Sequence, residues 1–224
     1  MTRTPTVIVF DVNETLSDMA PIASRFIDVG APGHLATTWF AALLRDGFAL
    51  TAAGSSMPFA EIGDGALRVA LAGLPLDRDL DDAVAHVMDG FRTLDVHPDV
   101  AEGVRSLRAA GLRLVTLSNG SASIAEDLLS RVGLRQDFER CLSVEDAGLW
   151  KPAAGAYRYA AQACGCDVGE MVLVAVHPWD VDGAARAGMG TALVNRSGGP
   201  YPAYFTPPQI TVARLSDLSR ELGV

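Results

Sequence analysis

Near its amino terminus the chain reads Val7-Ile-Val-Phe-Asp11-Val-Asn13-Glu-Thr15-Leu-Ser17, and an apolar run passes there into a polar turn. Uninterrupted apolar runs of this kind are typical of parallel strands buried on both faces. Open α/β sheets keep their chemistry just beyond the carboxyl ends of such strands, so Asp11 is the first candidate catalytic residue. Two positions on, Asn13 has an amide that donates hydrogen bonds but does not act as a proton-transferring acid. Asp11 is therefore predicted to be a nucleophile without a carboxylic acid partner.

Three more apolar runs follow, most of them separated by segments of helical length. The predicted strands cover residues 6–10, 112–117, 171–176 and 191–194. Strands that alternate with helices indicate a parallel sheet with crossover connections. The predicted fold class is therefore α/β, with a Rossmann-like doubly wound parallel sheet. Residues 195–208 are rich in Gly, Pro and Tyr and are expected to form a loop.

The span between the first two predicted strands is too long for one crossover and is expected to have its own structure. Apolar residues recur there at intervals of three and four, which predicts helices over residues 22–29, 36–50, 59–71 and 80–94. We therefore expect a helical cap domain, residues 17–96, inserted into an α/β core formed by residues 1–16 and 97–224. His97-Pro98-Asp99 marks the return to the core, and a helix is predicted from Pro98 or Asp99 to residue 111.

Composition restricts the possible partners. The net charge is -9 and the 18 basic residues are scattered, which disfavours binding to nucleic acid. The sequence has no uncharged apolar run of about 18 residues, the length that a membrane span needs. The first residues lead into the first strand without a secretory leader, so we expect a cytoplasmic protein. The three cysteines are expected to be reduced core thiols. Cys164-Gly-Cys166 could bind a metal, but the sequence offers no second cysteine pair or neighbouring histidine as further zinc ligands.

Side chains that follow different parallel strands meet at one edge of the sheet. This rule brings two carboxylates, a lysine and several hydrogen-bond donors together. Other interpretations stay open, because Ser118, Asn119 and Asp180 also suit helix caps and Lys151 suits a helix surface. The helix dipole disfavours a lysine at a helix start, which indicates an anionic partner for Lys151. The predicted site contains Asp11, Asn13, Thr15, Ser118, Asn119, Lys151, His177, Trp179 and Asp180.

In order and spacing, these segments resemble the haloacid dehalogenase superfamily, and the helical insert resembles its cap domain. Phosphatases of that superfamily carry a second Asp where this chain has Asn13 and a magnesium-binding acid where it has Val176. The 2-haloacid dehalogenase branch is the more similar one. Halide needs no proton to leave, so this branch implies neither a metal nor a cofactor. The matching residues are Asp11, Thr15, Leu117-Ser-Asn-Gly120, Lys151-Pro152, Tyr157 and Trp179-Asp180-x-x-Gly183-Ala184.

The resemblance implies a metal-independent hydrolase that removes halide from short 2-haloalkanoic acids. Asp11 would displace the halide and form an ester, which a water activated by Asp180 would hydrolyse. Lys151 would keep Asp11 ionised and hold Asp180 in place. The carboxylate groups of enzyme and substrate would be oriented by Thr15, Ser118 and Asn119.

Substrate contacts are expected from the core and from the cap. The dehalogenases have a cap arginine shortly after the tryptophan that matches Trp39; this chain has Ala41 there, and Arg45, one helical turn later, is the predicted replacement. His177 is expected to stand in for a family asparagine as a donor to water or to a carboxylate. The predicted substrate-binding residues are Asn13, Trp39, Arg45, Tyr157, His177 and Trp179, with Phe40 and Phe59 as further apolar walls.

Two other functions are compatible with the sequence. A phosphatase or phosphonatase-like hydrolase of the same superfamily would depend on added magnesium. The absence of the family's arginine at position 41 would be compatible with a catalytically silent binding protein of this fold. The joint presence of Asp11, Lys151 and Asp180 disfavours the silent protein, because buried charges are costly without a use. The resemblance also suggests a homodimer.

Overall fold

A six-stranded sheet forms the centre of the computed structural model, which describes residues 5–224. Its strands are β1 Val7–Phe10, β2 Arg113–Ser118, β3 Arg140–Ser143, β4 Met171–Ala175, β5 Gly190–Val194 and β6 Ile210–Val212. They lie in the order β3-β2-β1-β4-β5-β6, and every neighbouring pair is parallel. After β1, the chain adds β2 and β3 on one side of it and then β4, β5 and β6 on the other side. This confirms the predicted α/β class and the doubly wound parallel sheet.

All four predicted strands are present, with ends that shift by about one residue, but β3 and β6 were not predicted from the sequence. Both lie at an edge of the sheet, and both are short. β3 reads Arg-Cys-Leu-Ser, with its first residue exposed. Edge strands bury less of their surface than central ones, so their sequences carry a weaker apolar signal.

The apolar run of β1 is buried because both faces of the sheet are covered. Val7 and Val9 belong to one hydrophobic cluster, whereas Ile8 and Phe10 belong to the cluster on the other face. All four side chains are fully buried. β1 is thus a rigid central strand, and Asp11 is the first residue beyond it.

Ten helices complete the described part of the chain. None of them is long and apolar enough to cross a membrane. The predicted helix over 80–94 ends early, because Gly90–Thr93 forms a 3-10 turn. The helices are α1 Ile22–Ile27, α2 Leu35–Ala52, α3 Phe59–Leu71, α4 Leu80–Asp89, α5 Val100–Ala109, α6 Ala122–Arg131, α7 Val144–Ala147, α8 Ala154–Cys164, α9 Pro178–Ala187 and α10 Leu218–Leu222.

Helices α1 to α4 lie between β1 and α5, where the sequence predicts an insert. The chain leaves and returns along two adjacent paths: the Asp18 N–H donates to the Asp95 carbonyl at 2.8 Å, and the His97 N–H donates to the Leu16 carbonyl at 2.9 Å. This narrow double connection holds the insert over the carboxyl end of β1. The division into a cap, 17–96, and a core stays a prediction.

Candidate active site

Asp11 lies at the carboxyl end of β1, and its carboxylate is fixed by the neighbouring turn. Its N–H donates to the Val174 carbonyl of β4 at 3.0 Å. The Thr15 hydroxyl donates to Oδ2 of Asp11 at 2.6 Å and accepts the Val176 N–H at 3.1 Å. The side chain of Asp11 is only 6% exposed. The turn therefore presents one nearly buried carboxylate in a fixed orientation.

Lys151 joins this carboxylate to a second one. Its Nζ lies 2.8 Å from Oδ1 of Asp11 and 2.6 Å from Oδ2 of Asp180, and its side chain is completely buried. Burial opposes ionisation of Asp11, but the Lys151 ammonium and the hydrogen bonds from Lys151 and Thr15 outweigh it and hold the pKa of Asp11 below its usual range. Burial also opposes the charge of Lys151, and the two carboxylates overcome this and raise the pKa of Lys151. Asp11 is thus an ionised carboxylate at neutral pH.

Asp180, in the first turn of α9, has a different environment. Its side chain is fully buried, and the Tyr157 hydroxyl donates to Oδ1 at 2.6 Å. Burial raises the pKa of Asp180; Lys151 and Tyr157 oppose this rise, and the charge of Asp11 adds to it. Two neighbouring carboxylates whose pKa values are shifted in opposite directions are typical of an acid–base pair.

Two residues of the predicted site, Asn119 and Tyr157, hydrogen-bond to Lys151 and Asp180 and so hold them in place. The Asn119 side chain accepts the Lys151 N–H at 3.0 Å and donates to the Lys151 carbonyl at 3.3 Å, so it clamps the segment that carries the lysine. Tyr157 is fully buried, and its hydroxyl hydrogen-bonds to Asp180; a contact between Tyr157 and the substrate stays a prediction. Ser118 accepts the Gly120 N–H at 2.9 Å.

His177 lies beside Asp11, Glu14 and Asn13. Its Nε2 lies 3.6 Å from Oδ2 of Asp11, 3.6 Å from a carboxylate oxygen of Glu14, and 3.2 Å from the carbonyl oxygen of Asn13. The ring stacks on Trp179, with centroids 5.0 Å apart. Glu14 has a φ of 62°, which is uncommon for a residue other than glycine and turns the chain sharply after Asn13.

Two cavities flank this arrangement. One, of about 530 Å³, lies on the His177 side and is also lined by Glu14, Phe40 and Arg196. The other, of about 230 Å³, lies on the Ser118 side and is lined by Asn13 and Phe59 among others. Small molecules can therefore approach the ends of β1 and β2 from two directions.

The comparisons with known proteins fit this geometry. A family model described as haloacid dehalogenase-like hydrolase matches residues 5–188. The chain belongs to this family. An (S)-2-haloacid dehalogenase 4A from Burkholderia cepacia is 31% identical over 94% of this chain and 91% of its own, and an (S)-2-haloacid dehalogenase from Pseudomonas sp. strain YL is 29% identical over 93% and 90%. A crystal structure of a dehalogenase with an intermediate complex matches with a TM-score of 0.91, 29% identity and complete coverage of both chains.

Two predicted substrate contacts of this haloacid dehalogenase-like hydrolase are wrong. Arg45 is 71% exposed, pairs with Asp46 at 2.8 Å, and is not among the residues that line the two cavities beside the site. Ala41 and Arg45 do share one face of α2, but that face is the solvent face. Trp39 is fully buried within the helical insert, where its Nε1 donates to the Gly63 carbonyl at 3.0 Å.

The side of α2 that does reach the larger cavity carries Phe40. Phe40 lines the larger cavity and Phe59 lines the smaller one; their role as walls of a substrate pocket stays a prediction. Trp179, another predicted wall, contacts His177 and also packs edge-on against Phe48 of α2, with centroids 4.9 Å apart.

Sequence reasoning missed two charged residues of this hydrolase. Glu14 lies inside the nucleophile motif, and its position beside Asp11 was a usable signal. Arg196 follows β5, and its Nη2 lies 3.0 Å from a carboxylate oxygen of Asp99. The rule that residues beyond parallel strands converge applies to Arg196 as well, but the Gly- and Pro-rich segment around it favoured a loop without a function.

Proposed function

We propose that this member of the haloacid dehalogenase-like hydrolases removes halide from 2-haloalkanoic acids through an ester formed on Asp11. The observation that carries the proposal is the buried Lys151 between an ionised Asp11 and an Asp180 with a raised pKa. Relatives named (S)-2-haloacid dehalogenase support it, as does the likeness to a dehalogenase with an intermediate complex.

In the first step, a carboxylate oxygen of Asp11 attacks the carbon that bears the halogen. The new C–O bond forms as the carbon–halogen bond breaks, and the halide leaves with the electron pair. Halide requires no proton, which agrees with an amide at Asn13 instead of an acid. The Ser118 hydroxyl and the Asn13 amide are the donors proposed to hold the substrate carboxylate.

In the second step, water attacks the carbonyl carbon of the Asp11 ester. Asp180 takes the proton from this water, for which its raised pKa is suited. Collapse of the tetrahedral intermediate expels the alkoxide of the 2-hydroxy acid, which takes up the proton, and Asp11 returns as a carboxylate. His177 borders the larger cavity and is proposed to donate a hydrogen bond to the incoming water.

The magnesium ion of the phosphatases in this superfamily does not fit these residues. Magnesium needs six oxygen ligands in near-octahedral geometry. Oδ2 of Asp180 is bound by Lys151 and Oδ1 by Tyr157, and the nearby Val176 offers no side-chain oxygen. We therefore propose a metal-independent reaction.

We also propose that the enzyme works in the cytoplasm and pairs as a homodimer. All three cysteines are free thiols, which suits a reducing compartment. The pairing rests on resemblance to the family, and light scattering coupled to size exclusion measures it: a mass of one chain would refute the dimer.

The first experiment measures halide release from 2-chloropropionate, 2-bromopropionate and fluoroacetate in the presence of a chelator. A parallel assay measures hydrolysis of an aryl phosphate with and without magnesium. We expect chelator-resistant halide release that is abolished in Asp11→Asn and kept in Asp127→Asn, which changes an exposed carboxylate of α6. Magnesium-dependent phosphate release would instead identify a phosphatase, and inactivity in both assays would identify a binding protein.

A further inference from the structure

The smaller cavity has an apolar chamber above a polar floor. Its walls come from the insert on one side and from α6 on the other. Its charged lining residues are exposed: Arg92, which lies 3.5 Å from Asp89, and Glu145. The apolar walls are formed chiefly by Phe59, Met88, Phe91 and Ile124.

The floor offers two hydrogen-bond donors that have no acceptor among residues 5–224. The Ser118 oxygen accepts the Gly120 N–H, which leaves its own hydrogen free. The Asn13 side-chain amide donates to none of the residues that the structure describes. Gly120 lies between them: a methyl group there would be 3.3 Å from the Ser118 Oγ, 3.9 Å from the Asn13 Nδ2 and 3.9 Å from the Phe59 ring. Two converging neutral donors of this kind suit a carboxylate.

We propose that this cavity holds an apolar substituent on C2 of a 2-halo acid whose carboxylate binds Ser118 and Asn13, so that the enzyme favours substituents of several carbons over methyl. The proposal rests on the dehalogenase function proposed above and extends it beyond the short acids expected from the sequence.

The position of Asp11 decides which substituent enters the chamber. Asp11 directly precedes Val12 and Asn13, which line the cavity, so a carbon under attack by Asp11 lies beside this floor. With the carboxylate on the floor, the remaining carbon substituent extends between the apolar walls. Water has a separate approach, through the larger cavity beside His177. Burial of apolar surface then adds binding energy for a longer substituent without blocking the water.

The test compares kcat/KM for halide release from (S)-2-bromopropionate, (S)-2-bromobutyrate and (S)-2-bromohexanoate. Each additional buried methylene is expected to raise kcat/KM about fourfold. Ile124→Trp fills the chamber and should lower the hexanoate-to-propionate ratio at least about tenfold. Met88→Trp fills it from the opposite wall and serves if the first variant fails to fold. Ser123→Trp, at an exposed position of the same helix, should leave the ratio as in the wild type.

The outcomes separate this proposal from the function on which it rests. Halide release that stays constant or falls with chain length would overturn the chamber but keep the dehalogenase. An unchanged ratio in both Ile124→Trp and Met88→Trp would also overturn it. Failure to release halide from any of the three acids would overturn both.

Discussion

Lys151 is buried between two carboxylates, and its single positive charge stabilises both of them. Removing one partner from a buried ionic group leaves charges that are neither solvated nor paired. The charges of the site therefore depend on single residues, namely on those whose atoms lie within hydrogen-bond distance of the Lys151 ammonium.

Lys151→Met should lower the free energy of unfolding by about 3–5 kcal/mol at pH 7. Without the ammonium, burial raises the pKa of Asp11, so the folded variant binds protons as the pH falls. In the wild type the lowered pKa of Asp11 adds stability above its ordinary pKa of about 3.9, and this is lost below it. The deficit of the variant should therefore shrink between pH 7 and pH 5. Denaturant titrations of wild type and variant at both pH values measure this deficit in the free energy of unfolding. A deficit of the same size at pH 7 and pH 5 would contradict the prediction.

His177 gives a second prediction at the residue scale. His177→Phe keeps an aromatic ring against Trp179 but removes the donor that faces the cavity, so hydrolysis of the ester should slow about tenfold. A burst of halide, one per active site, should then precede slow turnover in rapid-quench experiments. His177→Asn restores a donor and should recover turnover; equal rates for the Phe and Asn variants would exclude a donor role.

Trp150 connects two elements, because it ties helix α2 to the segment that carries Lys151. Its N–H donates to the Thr51 hydroxyl at 3.1 Å, and its indole Nε1 donates to the Met57 carbonyl at 3.0 Å. The indole also stacks on Phe59, with centroids 6.0 Å apart. On its other side it packs against Gly47, where a methyl group would lie 2.4 Å from the ring.

Gly47→Ala should therefore push α2 away from Trp150. Overpacking of this kind typically costs about 1–3 kcal/mol of stability, and KM for the haloacid should rise because the insert no longer closes over the site. Gly65→Ala in α3 is the matched control: a methyl group there meets nothing within 4 Å, and it should stabilise the helix by about 0.5–1 kcal/mol. Thermal unfolding and initial rates of both variants test this prediction. Equal changes in stability and KM for Gly47→Ala and Gly65→Ala would contradict the role of the contact between Gly47 and Trp150.

At the scale of the whole molecule, the loop between β5 and β6 is held against α9. Asp182 accepts the Thr206 N–H at 2.8 Å and the Arg186 Nε at 2.8 Å. The Tyr201 hydroxyl lies 2.8 Å from the Thr206 carbonyl and donates to it. The loop carries Arg196, so its attachment fixes one wall of the larger cavity.

Asp182→Ala should lower the free energy of unfolding at pH 7 by about 1–2 kcal/mol. The hydrogen bonds from Arg186 and Thr206 lower the pKa of Asp182 to about 2. A lowered pKa stabilises the folded state above the ordinary value of about 3.9, and this stabilisation is lost as the pH falls toward 2. The difference between wild type and variant should thus diminish below pH 4. A difference that grows toward acid would show that another group is responsible.

The central strands and the residues that follow them could be predicted from the amino-acid sequence. The fully apolar run before Asp11 indicates a strand covered on both faces, and the convergence of parallel strand ends places Asp11, Lys151 and Asp180 together. These features depend on local composition and on a general property of α/β sheets, so they can be predicted without the structure.

The face of each helix that meets the site depends on tertiary packing and could not be predicted from the sequence. Arg45 and Ala41 share a face, as helical spacing requires, but packing of α2 turns Phe40 to the cavity and leaves Arg45 in solvent. The short edge strands β3 and β6 and the contact between Glu14 and His177 likewise depend on partners distant in sequence. Periodicity fixes which residues lie side by side on a helix, whereas the choice of the face that packs inward is made by the neighbouring elements.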